Sequence, residues 1–89
     1  MFSKTCEYAI RATIYIASES SAGKRCGIRD IARKIESPEP FTAKILQRLV
    51  KADIIKSIKG NGGGFEIEKV QLKHIKLEQL VKAIDGNDL

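Results

Sequence analysis

Tryptophan is absent from this sequence, histidine occurs once and cysteine twice, and each scarcity removes a class of chemistry. A small secreted domain held by disulfides needs several bridges, which Cys6 and Cys26 cannot supply. A structural zinc site needs clustered ligands, and His74 has no partner at ligand spacing, so no metal and no cofactor is assigned to these residues. Both cysteines read as small hydrophobes, Cys6 on the apolar side of a helical pattern. No apolar run of about 18 residues is present, so no membrane span is predicted. Lys4, Glu7 and Arg11 interrupt the start, with no small-residue cleavage site behind them, and the expected location is the cytoplasm. Neither a Gly-x-Gly-x-x-Gly turn nor a Gly-Lys-Ser/Thr phosphate loop occurs. His74 also lacks a Ser or Cys nucleophile in any catalytic arrangement, so an enzyme is not expected.

Acidic residues are also few, 11 against 16 Lys and Arg, for a net charge of +5. The surplus is local. Lys24 to Lys59 holds ten basic and four acidic side chains, whereas the remainder is nearly balanced. A basic middle segment is where a polyanion would be met, although a solvated charged face has the same composition. The 89 residues, 43% hydrophobic and 30% charged, describe one globular domain, residues 1–89, with a modest core.

The apolar pattern gives the order helix, helix, helix, hairpin, helix. Cys6, Ile10, Ile14 and Ala17 recur at helical spacing over about 3–18, with Ser3 as N-cap, before the Ser20 to Lys24 break. Ile28, Ile31, Ala32 and Ile35 mark a second helix over about 28–35, behind Gly27. A third helix is predicted over about 38–52, with Ser37 as its cap and Pro38 and Pro40 tolerated in the first turn. Its wheel separates Thr42, Ile45, Leu46, Leu49 and Val50 from a polar, basic side containing Pro40, Ala43, Lys44, Gln47, Arg48 and Lys51. Ile54 to Ile58 and Phe65 to Glu68 read as strands around Gly60-Asn61-Gly62-Gly63-Gly64, a wing over about 54–68. After a polar connection, Leu77, Leu80, Val81 and Ile84 indicate a last helix over about 77–85.

The fold class that follows is mainly α with a small β-hairpin, a winged helix-turn-helix DNA-binding domain. A recognition helix lies in the major groove with its N-terminal residues nearest the base edges, which selects Pro40, Ala43, Lys44 and Gln47. Gln47 suits adenine and Lys44 the guanine acceptors. Arg48 and Lys51 flank them and suit phosphates, and Arg29 on the second helix belongs to the same basic region. Lys56 and Lys59 stand beside a tip whose glycines exceed what a hairpin turn needs, and the surplus implies close approach to a minor groove. The competing reading is a winged-helix protein-interaction module that docks its basic face on an acidic partner.

Taken in order, these segments resemble the IscR-type (Rrf-type) winged helix-turn-helix regulators of bacteria. The resemblance rests on Tyr8-Ala9-Ile10-Arg11-Ala12, Asp30-Ile31-Ala32, Phe41 to Leu49, Ile55 to Phe65, and Leu80-Val81 with Ala83 to Gly86. It implies a transcription regulator that acts as a homodimer on palindromic double-stranded DNA, with no membrane role and no effector that the residues name. It further implies that Pro40, Phe41, Ala43, Lys44 and Gln47 enter the groove. Ser3 and Lys4 would then lie near the phosphates, and Lys59, Gly60, Asn61 and Gly62 would form the wing contact. Three residues depart from the family pattern: Asp53 stands where Gly is frequent, Asn61 where Pro is frequent, and Ala43 where some members carry Glu. Some members also hold an iron–sulfur cluster on three cysteines and then a long dimerisation helix. Neither Cys6 nor Cys26 matches those cysteines, and with the sequence ending at Leu89 the expectation is a truncated piece of a longer regulator, the alternative being a naturally short member.

Overall fold

Three helices build the base of the molecule, and every other element leans on them. The computed structural model describes residues 3–72 and 77–86. Its elements are α1 (Lys4–Ser21), α2 (Ile28–Ile35), α3 (Glu39–Lys51), β1 (Lys56–Ile58), β2 (Gly64–Glu66), α4 (Lys69–Leu72) and α5 (Leu77–Val81). A π-helical turn, Lys82–Gly86, continues α5. The architecture is mainly helical with one antiparallel hairpin. His74 lies outside the described residues.

The core is aliphatic because the helical periods place Ile16 of α1, Ile31 and Ile35 of α2, and Ile45, Leu46 and Leu49 of α3 at one junction. All six are at most 2% exposed. Cys6 and Cys26 belong to the same cluster as free thiols. Two buried hydroxyls satisfy themselves within their own helices: Thr13 donates to the Ala9 carbonyl at 2.8 Å, and Thr42 to the Pro38 carbonyl at 2.9 Å. Leu80 and Ile84 bring the last helical segment onto this core.

All three long helices end in the same motif, a left-handed residue followed by a backbone N–H that reaches back five positions. Gly23 (φ 79°) ends α1, with Lys24 donating to Glu19 at 2.9 Å. This stop lies beyond the serines, which is why α1 runs to Ser21 rather than ending near residue 18. Glu36 (φ 57°) ends α2, with Ser37 donating to Ala32 at 2.9 Å. Asp53 (φ 61°) ends α3, with Ile54 donating to Leu49 at 3.0 Å. Asp53, standing where the family pattern often has Gly, thus holds a left-handed position, one that aspartate tolerates better than most residues.

The α2 motif also moves the start of α3. Ser37 is buried and its N–H is committed to α2, so Pro38 is the N-cap and the helix begins at Glu39. Ser37 is not the cap that the sequence suggested. Ile54 and Ile55, expected to open the first strand, likewise fall outside it. Both are buried as the chain leaves α3, and pairing begins only at Lys56. The register is Lys56 with Glu66, Ser57 with Phe65 and Ile58 with Gly64. Beyond Glu66, the Ile67 N–H donates to Ser20 Oγ at 2.9 Å, and the expected polar connection contains the turn of helix α4.

Candidate nucleic-acid interface

The two faces of α3 are sharply unequal. Thr42, Ile45, Leu46 and Leu49 are buried, while Pro40, Lys44, Gln47 and Lys51 are exposed on the opposite side, with Ala43 half-buried at its margin. Among the described residues neither Lys44 nor Lys51 is paired with a carboxylate. Their positive charge is therefore directed at solvent from a helix whose other face is fixed in the core, which favours an anionic partner.

Other candidates have acquired structural partners. Phe41 is half-buried and meets the Tyr8 ring edge-on, with centroids 5.7 Å apart, so it anchors the start of α3 as much as it faces outward. Arg48 donates from Nη1 to the Ile84 carbonyl at 2.8 Å. This hydrogen bond braces α3 against the final helical segment and uses one of the five N–H donors of an otherwise exposed guanidinium. Arg29 lies 3.5 Å from Glu39 in an exposed pair across the α2–α3 turn. Ser3 accepts the Cys6 N–H at 3.0 Å as the cap of α1, beside exposed Lys4. Lys56 is paired with Glu68 at 3.1 Å, which removes part of the charge attributed to it.

The wing corrects the argument from surplus glycines. Gly60, Gly62 and Gly64 have φ of 91°, 75° and 139°. A Cβ on Gly63 would stand 2.2 Å from the Ile58 carbonyl oxygen, and one on Gly64 2.7 Å from that of Cys26. The Gly63 N–H donates to Gly60 at 3.0 Å, closing a turn with Asn61 and Gly62 in its middle. The hairpin itself thus requires these glycines, and they carry no independent sign of a groove. Lys59 remains exposed beside the turn and has no carboxylate partner among the described residues.

Sequence reasoning missed what holds the wing. Cys26 and Phe65 exchange backbone hydrogen bonds of 3.0 and 2.7 Å, so the α1–α2 connection adds a third, one-residue strand beside β2. Next to it, Arg25 donates from Nε to Glu66 Oε1 at 2.9 Å and from Nη1 to the Gly62 carbonyl at 3.0 Å. In the sequence Arg25 was one basic residue among ten, and no periodicity links positions so far apart.

The described residues contain no group of three His, Cys, Asp or Glu side chains placed to hold a metal ion. Burial, reinforced by Glu19 and Asp30, pushes the Cys26 thiol up to about 11, so it stays protonated and a poor ligand near neutral pH. These residues do not fit an iron centre. None of the helices among the described residues is long and apolar enough to cross a membrane.

Comparison with known proteins places this geometry. The family model Rrf2, described as "Iron-dependent Transcriptional regulator", matches residues 2–89. An rrf2-like HTH-type transcriptional regulator of Rhodobacter capsulatus is 31% identical over 88 residues, covering 97% of this chain and 58% of the relative. An HTH-type transcriptional regulator of Aquifex aeolicus is 35% identical over 69 residues, covering 78% of this chain and 46% of the relative. The chain therefore spans about half the length of these relatives. Among solved structures, T. potens IscR superposes with a TM-score of 0.85 at 22% identity, covering 97% of this chain and 61% of that one. CymR (YrzC), the global cysteine regulator of B. subtilis, gives 0.84 at 18% identity, covering 98% and 66%. At these identities the two structures establish the winged-helix fold.

Proposed function

This chain belongs to the Rrf2 family of transcriptional regulators, and we propose that it binds double-stranded DNA, with α3 in the major groove and the β1–β2 wing at the adjacent minor groove. The observation that carries the reading is the outer face of α3, where Lys44, Gln47 and Lys51 are exposed and both lysines lack a carboxylate partner among the described residues. A major groove admits a helix, and its base edges offer acceptors to Lys44 and paired donor and acceptor sites to Gln47. Pro40 and Ala43 set how closely the helix approaches, Lys51 meets phosphate, and Lys59 to Gly62 form the wing contact. Lys4 and Arg29 add charge at the margin. The family and its structural neighbours are regulators rather than enzymes.

The whole regulator acts in the cytoplasm as a homodimer, each copy reading one half of a palindromic site. A two-fold pair of recognition helices matches half-sites about one helical turn apart, which is the geometry this fold uses on DNA.

Titrating duplex DNA against increasing salt tests the proposal. Lys51→Ala should weaken binding to any duplex and lower the salt slope by about one unit. Lys44→Ala should cost about 1–3 kcal/mol on the cognate site and much less on random DNA. Failure of the unsubstituted chain to bind duplex at low salt, with binding to an acidic protein in its place, would make this an interaction module.

A further inference from the structure

We propose that Arg25 is a positioning residue that sets the wing for DNA, acting through Lys59 rather than by touching the nucleic acid. The inference rests on the DNA-binding reading above and deepens it. The hairpin has three residue pairs and no buried side chain within its strands. A two-stranded ribbon of that size is marginal by itself. Among the described residues its tip is tied to the body at a single side chain: the Arg25 guanidinium donates both to Glu66 at the far end of β2 and to the carbonyl of Gly62 inside the turn. Lys59 immediately precedes that turn, which the Gly63 to Gly60 hydrogen bond closes. Holding Gly62 therefore limits the directions in which Lys59 projects.

Chemistry favours arginine for this task. A planar guanidinium donates along two fixed directions at once, whereas an ammonium is a single rotating point charge. Glu66 is also the one acidic residue within the wing strands, and Arg25 neutralises it at 2.9 Å. Two of the guanidinium's five N–H donors are held by these acceptors, which fixes the plane of the group.

A double-mutant cycle on duplex affinity separates positioning from contact. Arg25→Ala should weaken duplex binding by about five- to tenfold, close to the loss from Lys59→Ala, because one phosphate or groove contact is lost in either case. In a Lys59→Ala background, Arg25→Ala should then cost little more, and the salt slope should fall no further. Arg25→Lys should recover less than half of the loss, since it returns the charge without the fork. Circular-dichroism melting of each variant guards against unfolding, and the amide exchange of Gly63 reads the tip directly, with faster exchange expected in Arg25→Ala. Additive losses would make Arg25 an independent contact and overturn the proposal, as would full rescue by lysine or unchanged exchange at Gly63. If Lys59→Ala binds like the unsubstituted chain, the wing is not at the interface and the proposal falls with it. Failure of the unsubstituted chain to bind duplex would instead refute the DNA reading itself.

Discussion

The recognition helix and the wing face the same proposed ligand but are held in opposite ways. α3 buries four of its own side chains, Thr42, Ile45, Leu46 and Leu49, in the core, so its outer face is set by its own sequence. The wing strands bury none fully: Phe65 packs half-buried against the core, and hydrogen bonds from Cys26 and Arg25, with Ser20 holding Ile67 just beyond β2, supply the rest. One element is positioned mainly by its own burial and the other largely by hydrogen bonds from elsewhere in the chain. The helix is therefore the stiffer element, and the wing is the part whose placement single substitutions should change without unfolding the protein.

A paired substitution can break this contrast. Leu46→Ala, at a fully buried position, should cost about 2–5 kcal/mol of unfolding free energy through lost burial and the cavity left behind. Gly63→Ala should cost less, about 1–3 kcal/mol, because its Cβ meets the Ile58 carbonyl oxygen and the turn must open. Urea unfolding measures both, and duplex binding should fall further than the lost stability explains only for Gly63→Ala. Equal stability losses would mean that the wing belongs to the core's cooperative unit.

A smaller effect sharpens the same division at the joint between the two regions. Asp53 holds a left-handed conformation and a negative charge at the C-terminal end of α3, where the helix dipole is also negative. Asp53→Gly should raise stability by about 0.5–1 kcal/mol, the relief of strain and repulsion exceeding the entropy cost of glycine. A lower melting temperature would show that aspartate is the better residue at this turn.

The helical layers were legible because their information is local. Ile28, Ile31, Ala32 and Ile35, or the opposed faces of α3, state which side is buried within a few residues. The mainly helical fold with its hairpin and the membership in a regulator family follow from that patterning and from the ordered motifs. What the sequence hid was contact between distant positions. Arg48 reaches the Ile84 carbonyl 36 positions away, and Arg25 reaches Glu66 and Gly62, contacts that no local pattern announces. The wing glycines misled for a related reason: positive φ angles and a blocked Cβ are backbone facts that composition does not reveal. Charge in a sequence counts donors, and only the fold says which are already used.

Mapping the contact surface by amide chemical shifts, as short duplex DNA is added to the labelled chain, tests most directly whether helix and wing form one surface. The account predicts the largest shifts at Ala43, Lys44 and Gln47 and at Lys59 to Gly62, moving together along one titration curve. Shifts confined to the α1–α2 groove lined by Arg11, Ile14 and Lys34, or shifts in α3 with the wing unaffected, would contradict it.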